Sequence, residues 1–160
     1  MVIIKWYKKV VFENYINFTG RAGRKEYWYF SLVNLIIVLF LGVIDRTLDL
    51  TLVQAETGAF GLAYNFAVFL PGLAVSVRRL HDIGKSGWWL LILQVLLVSA
   101  IFFLLVLYFM GNRSIWFYLM ALIILAVIIW WLVLFCTKGD KGLNEYGADP
   151  ESEFDEINQI

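Results

Sequence analysis

The sequence contains few of the residues that usually carry chemistry. Only 16% of its 160 residues are charged, and it has one cysteine and one histidine. The single cysteine, Cys136, excludes an intrachain disulfide and a thiolate metal site built by one chain. The single histidine, His81, excludes a site of paired histidines, so we expect no metal and no cofactor. No serine or cysteine has a second base to complete a nucleophilic triad, and we therefore expect no enzyme.

Apolar residues, in contrast, are abundant and make up 61% of the chain. A helix that crosses about 30 Å of hydrocarbon needs about 20 apolar residues. Four runs without any charged residue approach or reach that length: 27–44, 60–77, 88–110 and 115–136. Because backbone groups must be paired inside lipid, such runs must be helical. The sequence predicts an all-α membrane protein with four transmembrane helices in an antiparallel up-down bundle, and its first partner is the phospholipid bilayer.

The distribution of basic residues predicts the orientation. Eleven of the thirteen lysines and arginines lie in the N-terminal segment, the second connection and the C-terminal tail. Only Arg46 and Arg113 lie on the opposite side. Since basic loops stay in the cytoplasm, both termini are expected there, in a multi-pass protein of the plasma membrane.

The segments outside the spans differ in character. Residues 1–26 are basic and carry apolar residues near helical spacing, which predicts a short amphipathic helix on the inner leaflet. A frayed basic arm is the alternative. The connection from Asp45 to Ala59 is polar and is expected to be a loop. The tail, 137–160, is expected in the cytoplasm and disordered after about residue 150, because it is acidic and lacks apolar residues for a core.

Four polar side chains lie deep within the predicted spans. Asn34 and Gln94 lie roughly 10 Å from the cytoplasmic helix ends, and Asn65 and Ser99 lie roughly 17 Å from them. Matching depths predict the pairs Asn34–Gln94 and Asn65–Ser99, with hydrogen bonds of about 0.5 to 2 kcal/mol each. The alternative is that these residues line a transport pathway.

Three charged, glycine-bearing segments flank the spans on the cytoplasmic side: 20–26, 78–87 and 138–150. A four-helix bundle brings such ends within about 10 to 15 Å of each other. We predict a polar cluster in which Glu26 and Asp82 pair with Arg24, Arg78 or Arg79. The candidate residues are Arg21, Arg24, Glu26, Arg78, Arg79, His81, Asp82 and Lys85. Surplus positive charge would face anionic lipid headgroups or another membrane protein; the alternative is that these residues are only topological anchors and turn glycines.

Two catalytic or ligand-binding interpretations of the second segment are weak. Gly84, Lys85 and Ser86 end like a phosphate-binding loop, but Arg79 stands where that motif needs glycine, and a membrane helix leads in instead of a strand. His81 and Asp82 could act as an acid and a base. Neighbours at a turn seldom share one reaction centre, so we do not favour this interpretation.

The same three segments resemble a known family. The runs FTGRAGRKEYWYF, VRRLHDIGKSGWWLL and CTKGDKGLNEYGADP are similar to signatures of the domain of unknown function 805 family, small bacterial inner-membrane proteins. The resemblance extends from about Phe18 to Pro150, and Ala148 stands where the family commonly has proline. It implies a bacterial inner-membrane location and a helical topology, and it implies no activity and no catalytic residues.

Two functions remain open. The first is a non-enzymatic module whose polar cytoplasmic face binds lipids or another membrane protein, with no nucleic-acid partner. The alternative is a small transporter, which at four spans would work as a homo-oligomer. The spans contain no ionisable residue at mid-bilayer, where ion coupling usually needs one.

Overall fold

The computed structural model describes residues 2–50, 58–111 and 114–151. The helices are α1 (Val2–Lys8), which continues as a π-helical segment (Lys9–Glu13), α2 (Arg24–Thr47), α3 (Ala59–Asp82), α4 (Trp88–Phe109) and α5 (Ile115–Cys136). α2 to α5 are each long and apolar enough to cross a membrane. The prediction of an all-α membrane protein with four transmembrane helices and a short N-terminal helix is confirmed.

The four long helices form two hairpins. α2 packs along α3, and α4 packs along α5. A core of buried side chains joins the hairpins near the end where α3 stops and α4 starts, and it consists of Leu80, Leu90, Leu93, Leu134 and Phe135. Large apolar residues farther along the helices, such as Phe40, Phe66 and Phe102, are exposed, as expected of surfaces that face lipid.

The end of α2 differs from the expected loop. Asp45 lies inside α2 and is buried. Its carboxylate accepts the backbone N–H groups of Phe60 at 3.1 Å and Gly61 at 2.9 Å, in the first turn of α3. The first N–H groups of a helix have no partner within that helix, and Asp45 supplies acceptors from the neighbouring helix. Residues 51–57 of the predicted loop lie outside the described residues.

The N-terminal helix packs on the first hairpin. Trp6 and Val10 are buried, and the ring of Tyr7 stacks on Phe30 with centroids 5.8 Å apart. Ile3 and Ile4 remain exposed. The segment is therefore helical as predicted, and the frayed arm is not what the structure shows.

The N-terminal segment also satisfies a backbone carbonyl in α3. Pro71 lies inside α3 and has no N–H, so the carbonyl of Ala67, four residues earlier, loses its usual helical donor. The hydroxyl of Tyr15 donates to this carbonyl at 2.5 Å. A side chain from the N-terminal segment thus replaces the hydrogen bond that proline removes.

The predicted pairing of polar residues within the spans requires correction. Asn34 donates to the carbonyl of Phe30 at 2.8 Å and accepts from the hydroxyl of Tyr64 at 2.5 Å. Ser99 donates to the carbonyl of Leu96 in its own helix at 3.0 Å. Asn65 and Gln94 are exposed, and neither Asn34–Gln94 nor Asn65–Ser99 is formed among the described residues. Depth alone fixes the level of a side chain, whereas its rotation about the helix decides which neighbour it meets.

Candidate functional site: the charged cap

Three segments meet at one end of the two hairpins, and we call them together the charged cap: residues 18–26, 78–87 and 137–151. Backbone hydrogen bonds join them directly. The N–H of Ala22 donates to the carbonyl of Arg78 at 3.0 Å, and the N–H of Asp140 donates to the carbonyl of Asp82 at 2.8 Å. The second segment therefore lies between the other two.

Asp82 is the centre of the cap. Its carboxylate accepts from Arg21 Nε at 3.0 Å and from Arg79 Nη1. The Cα of Gly139 lies so close that an added Cβ would overlap the Asp82 carboxylate. Asp82 and both arginines are buried. Because a buried charge is costly unless it is paired, each of these groups depends on the others.

The two arginines also bind backbone carbonyls. Arg21 donates to the carbonyls of Gly142 at 2.6 Å and Asp140 in the tail. Arg79 donates to the carbonyl of Phe135 at 3.2 Å and to that of Thr137. The last carbonyls of a helix have no helical donor and carry partial negative charge, so Arg79 caps the end of α5. The two arginines thus bind the tail to the ends of α3 and α5.

A second buried ion pair lies beside the first. Arg78 Nη1 lies 2.7 Å from Glu26 Oε1, and Lys9 Nζ lies 3.6 Å from Glu26 Oε2. The Glu26 side chain is fully buried and that of Arg78 is nearly so. This pair joins α2 to α3 and draws the N-terminal segment into the cap through Lys9.

His81 occupies a structural position. Its Nδ1 lies 3.1 Å from the carbonyl of Gly20 and therefore carries the proton of that hydrogen bond. Its ring stacks on Tyr146, with centroids 3.9 Å apart and planes within 6°. The Nδ2 of Asn144 donates to the His81 carbonyl at 3.0 Å. His81 and Asp82 thus have separate sets of partners.

Two of the candidate residues lie at the margin of the cap. Arg24 is partly exposed and lies 4.0 Å from the carboxylate of Glu151. Among the described residues, the ion pairs of Glu26 and Asp82 are made by other cations. Lys85 lies over the ring of Trp89 at 5.3 Å, a cation–π contact. The other six candidates, Arg21, Glu26, Arg78, Arg79, His81 and Asp82, lie together. A functional role for any of the eight stays a prediction.

Sequence reasoning missed several members of the cap. Lys9, Gly139, Asn144 and Tyr146 all contact candidate residues. The glycines and charges of 138–150 marked the tail as a segment of the cap, but nothing in the pattern assigned its contacts. Lys9 lies in the predicted amphipathic helix, and the sequence pattern does not indicate that this helix packs near Glu26.

The cap contains two polar cavities. One, of about 270 Å³, includes Asp82, Lys138 and Lys141 in its lining. The other, of about 520 Å³, includes Lys9, Arg21, Arg78 and Asp149. Within residues 2–50, 58–111 and 114–151, no group of three His, Cys, Asp or Glu side chains could hold a metal ion.

Comparisons with known proteins agree with this architecture. The chain matches the family described as protein of unknown function (DUF805) over residues 15–113. It is 38% identical to the inner membrane protein YhaI of Escherichia coli strain K12 over 148 residues, which cover 92% of this chain and 97% of YhaI. It is 49% identical to the inner membrane protein YhaH of the same strain over 84 residues, 52% of this chain and 68% of YhaH. No solved structure matches. The family match contains the first two segments of the charged cap and ends before the third.

Proposed function

This chain belongs to the DUF805 family, and on that premise we propose that it is a non-enzymatic protein of the bacterial inner membrane whose charged cap binds anionic lipid headgroups. In this proposal both termini and the cap face the cytoplasm. The names of its relatives support the inner-membrane location. The orientation is supported by the distribution of basic residues, since eleven of thirteen lie at the capped end.

The observation that carries the proposal is that the arginines of the cap are buried, whereas several of its lysines are exposed. Arg21, Arg78 and Arg79 are buried and engaged with carboxylates and carbonyls, so they hold the fold together. Lys25, Lys138 and Lys141 are exposed at the same end of the molecule. Exposed lysines near an anionic leaflet each contribute about 1 kcal/mol of attraction. The cap therefore combines a buried network of arginine contacts with an exposed cationic surface.

The experiment compares lipid retention by matched variants. The triple variant Lys25→Gln, Lys138→Gln, Lys141→Gln removes the exposed charge, and Lys→Arg at the same three positions preserves it. Native mass spectrometry measures phosphatidylglycerol against phosphatidylcholine bound to each protein after purification in mild detergent. We expect the wild type and the arginine variant to enrich phosphatidylglycerol and the glutamine variant to lose most of that enrichment. Equal enrichment in all three proteins would refute the proposal.

A small oligomeric transporter is the second candidate function. The exposed polar side chains Asn65 and Gln94 favour it, since a polar group that faces lipid needs a partner and neighbouring copies could supply one. Flux of a solute into proteoliposomes that disappears with Asn65→Leu or Gln94→Leu would favour this function. Flux that is unchanged by both substitutions would count against it.

A further inference from the structure

The smaller polar cavity of the cap, about 270 Å³, is bordered by a loop that carries two lysines. This loop comprises residues 138–142, and we call it the KGDKG loop after its sequence. Lys138 and Lys141 line the cavity and are exposed. Within residues 2–50, 58–111 and 114–151, neither ammonium group has a hydrogen bond or an ion pair. Both cations are therefore accessible to a ligand that enters the cavity.

The backbone of the KGDKG loop is bound to the buried network of the cap. Arg21 donates to the carbonyls of Asp140 and Gly142, to the latter at 2.6 Å. The N–H of Asp140 donates to the carbonyl of Asp82 at 2.8 Å, and Gly139 packs directly on the Asp82 carboxylate. A site whose backbone is already ordered loses less conformational freedom when a ligand binds. The loop therefore presents its two lysines from a backbone that hydrogen bonds hold in place.

The carboxylate of Asp82 lies in the lining of the same cavity, but its charge is more than neutralised. Two guanidinium groups, those of Arg21 and Arg79, form ion pairs with it, so this group of three carries one surplus positive charge. Asp140 belongs to the loop but not to the lining, and its Oδ2 lies 3.4 Å from Nδ2 of Asn144. Neither carboxylate therefore opposes an anion in the cavity.

The rest of the lining adds further positive charge. Arg24 and Glu151, 4.0 Å apart, balance each other. Asp149, which accepts the N–H of Glu151, is counted as a full negative charge, and the two lysines of the loop contribute two positive charges. With the surplus guanidinium at Asp82, the wall of the cavity has two positive charges in excess. A phosphate monoester carries about 1.5 to 2 negative charges at pH 7 and matches this excess better than a diester, which carries one.

We propose that this cavity binds a phosphate monoester and that Lys138 and Lys141 are its main ligands. Each ammonium group supplies donors to the phosphate oxygens, a common role of lysine in phosphate sites. The monoester is either the headgroup of a lipid or a soluble phosphate ester, and the test separates the two. The site rests on the proposed function for the cytoplasmic orientation of the cap. It deepens that function by assigning a location, a chemical class and two of the three exposed lysines.

The test measures binding to the full-length protein, delipidated in mild detergent. Phosphatidic acid, phosphatidylglycerol and glycerol 3-phosphate are added separately, and native mass spectrometry and thermal unfolding report binding. The double variant Lys138→Gln, Lys141→Gln removes both ligands, and Lys→Arg at the same two positions keeps the charge. Lys25→Gln is the matched control, since Lys25 is an exposed lysine of the same cap that does not belong to the lining.

We expect the wild type to bind one phosphatidic acid per chain, about tenfold more tightly than phosphatidylglycerol, because a dianion gains more from two surplus positive charges. The double glutamine variant should lose about tenfold or more of this affinity, as expected when hydrogen bonds to charged groups are removed. The double arginine variant and Lys25→Gln should retain it. Stabilisation by glycerol 3-phosphate as large as that by phosphatidic acid would identify a soluble ester as the ligand, and stabilisation by phosphatidic acid alone would identify a lipid. Both outcomes support the site.

Three results would overturn the proposal. Phosphatidic acid bound no more tightly than phosphatidylglycerol would refute the preference for a monoester. A loss in Lys25→Gln as large as that in the double glutamine variant would show only diffuse attraction by exposed lysines. Absence of binding by both phosphatidic acid and glycerol 3-phosphate would refute the site. Enrichment of phosphatidylglycerol over phosphatidylcholine without a preference for phosphatidic acid would refute this site and leave the proposed function standing.

Discussion

The two ends of the helix hairpins are held together by different means. At the capped end, buried ion pairs and backbone hydrogen bonds join residues of all three cap segments, and the apolar core lies beside them. At the opposite end, Asp45 of α2 binds the first turn of α3, which joins two helices of one hairpin. The cap therefore unites the hairpins, whereas Asp45 strengthens only one of them.

Because of this difference, we expect the largest loss of stability when Asp82 is replaced. Asp82→Ala would leave Arg21 and Arg79 buried without their carboxylate. Breaking a buried ion pair from one side typically lowers the free energy of unfolding by about 3 to 5 kcal/mol. Unfolding by sodium dodecyl sulfate, followed by circular dichroism, measures the change. Asp140→Asn, on an exposed side chain of the same cap, is the control and should have a small effect. A loss for Asp82→Ala no greater than that of the control would show that the buried ion pairs of the cap do not hold the hairpins together.

A smaller loss is expected at the opposite end. Asp45→Ala removes the acceptors for the first turn of α3, and the loss of such a helix cap lowers stability by about 0.5 to 2 kcal/mol. The same unfolding assay measures it. Asp49→Asn is the matched control, since Asp49 is exposed at φ 53°, a conformation that asparagine tolerates. If Asp45→Ala lowered the free energy of unfolding as much as Asp82→Ala, the two ends would contribute equally to stability.

The smallest loss of stability is expected when the hydrogen bond from Tyr15 to the carbonyl of Ala67 is removed. Tyr15→Phe should lower the free energy of unfolding by about 0.5 to 1.5 kcal/mol, because the carbonyl of Ala67 loses its donor. In the background Pro71→Ala, the restored N–H of residue 71 can serve that carbonyl, so Tyr15→Phe should have less effect there. A double-mutant cycle measures the difference. Equal effects of Tyr15→Phe in both backgrounds would show that Tyr15 does not act through the carbonyl freed by Pro71.

The four long helices could be predicted from the sequence because uncharged runs of bilayer length have few alternatives in lipid. The cap could be predicted only in outline. Arg21 and Arg24 lie three residues apart in the same charged segment, yet Arg21 is buried against Asp82 and Arg24 is half-exposed. Their difference depends on where α2 begins and on how the tail crosses it. Charge patterning does not contain that information.

Asp45 shows a second feature of the structure that could not be predicted from the sequence. The connection from Asp45 to Ala59 is polar, and the sequence therefore predicts a loop that begins at Asp45. In the structure the same charge is kept inside the helix because the first turn of α3 supplies two donors. Only the packing of α2 against α3 makes this possible. The predicted pairs of polar residues within the spans are wrong for the same reason, because the partner of each residue depends on which helices pack against its own.

The first cap segment and the tail meet at the start of α2. A Cβ at Gly23 would lie 3.7 Å from Cγ of Pro150, so cysteines at both positions in a Cys136→Ser background should form a disulfide. Mild oxidation of isolated membranes, followed by a gel-shift assay after cleavage between the two cysteines, measures it. We expect rapid crosslinking of Gly23→Cys with Pro150→Cys and none of Gly23→Cys with Gly111→Cys, at the other end of α4. Absence of the first crosslink, or equal yield of both, would contradict it.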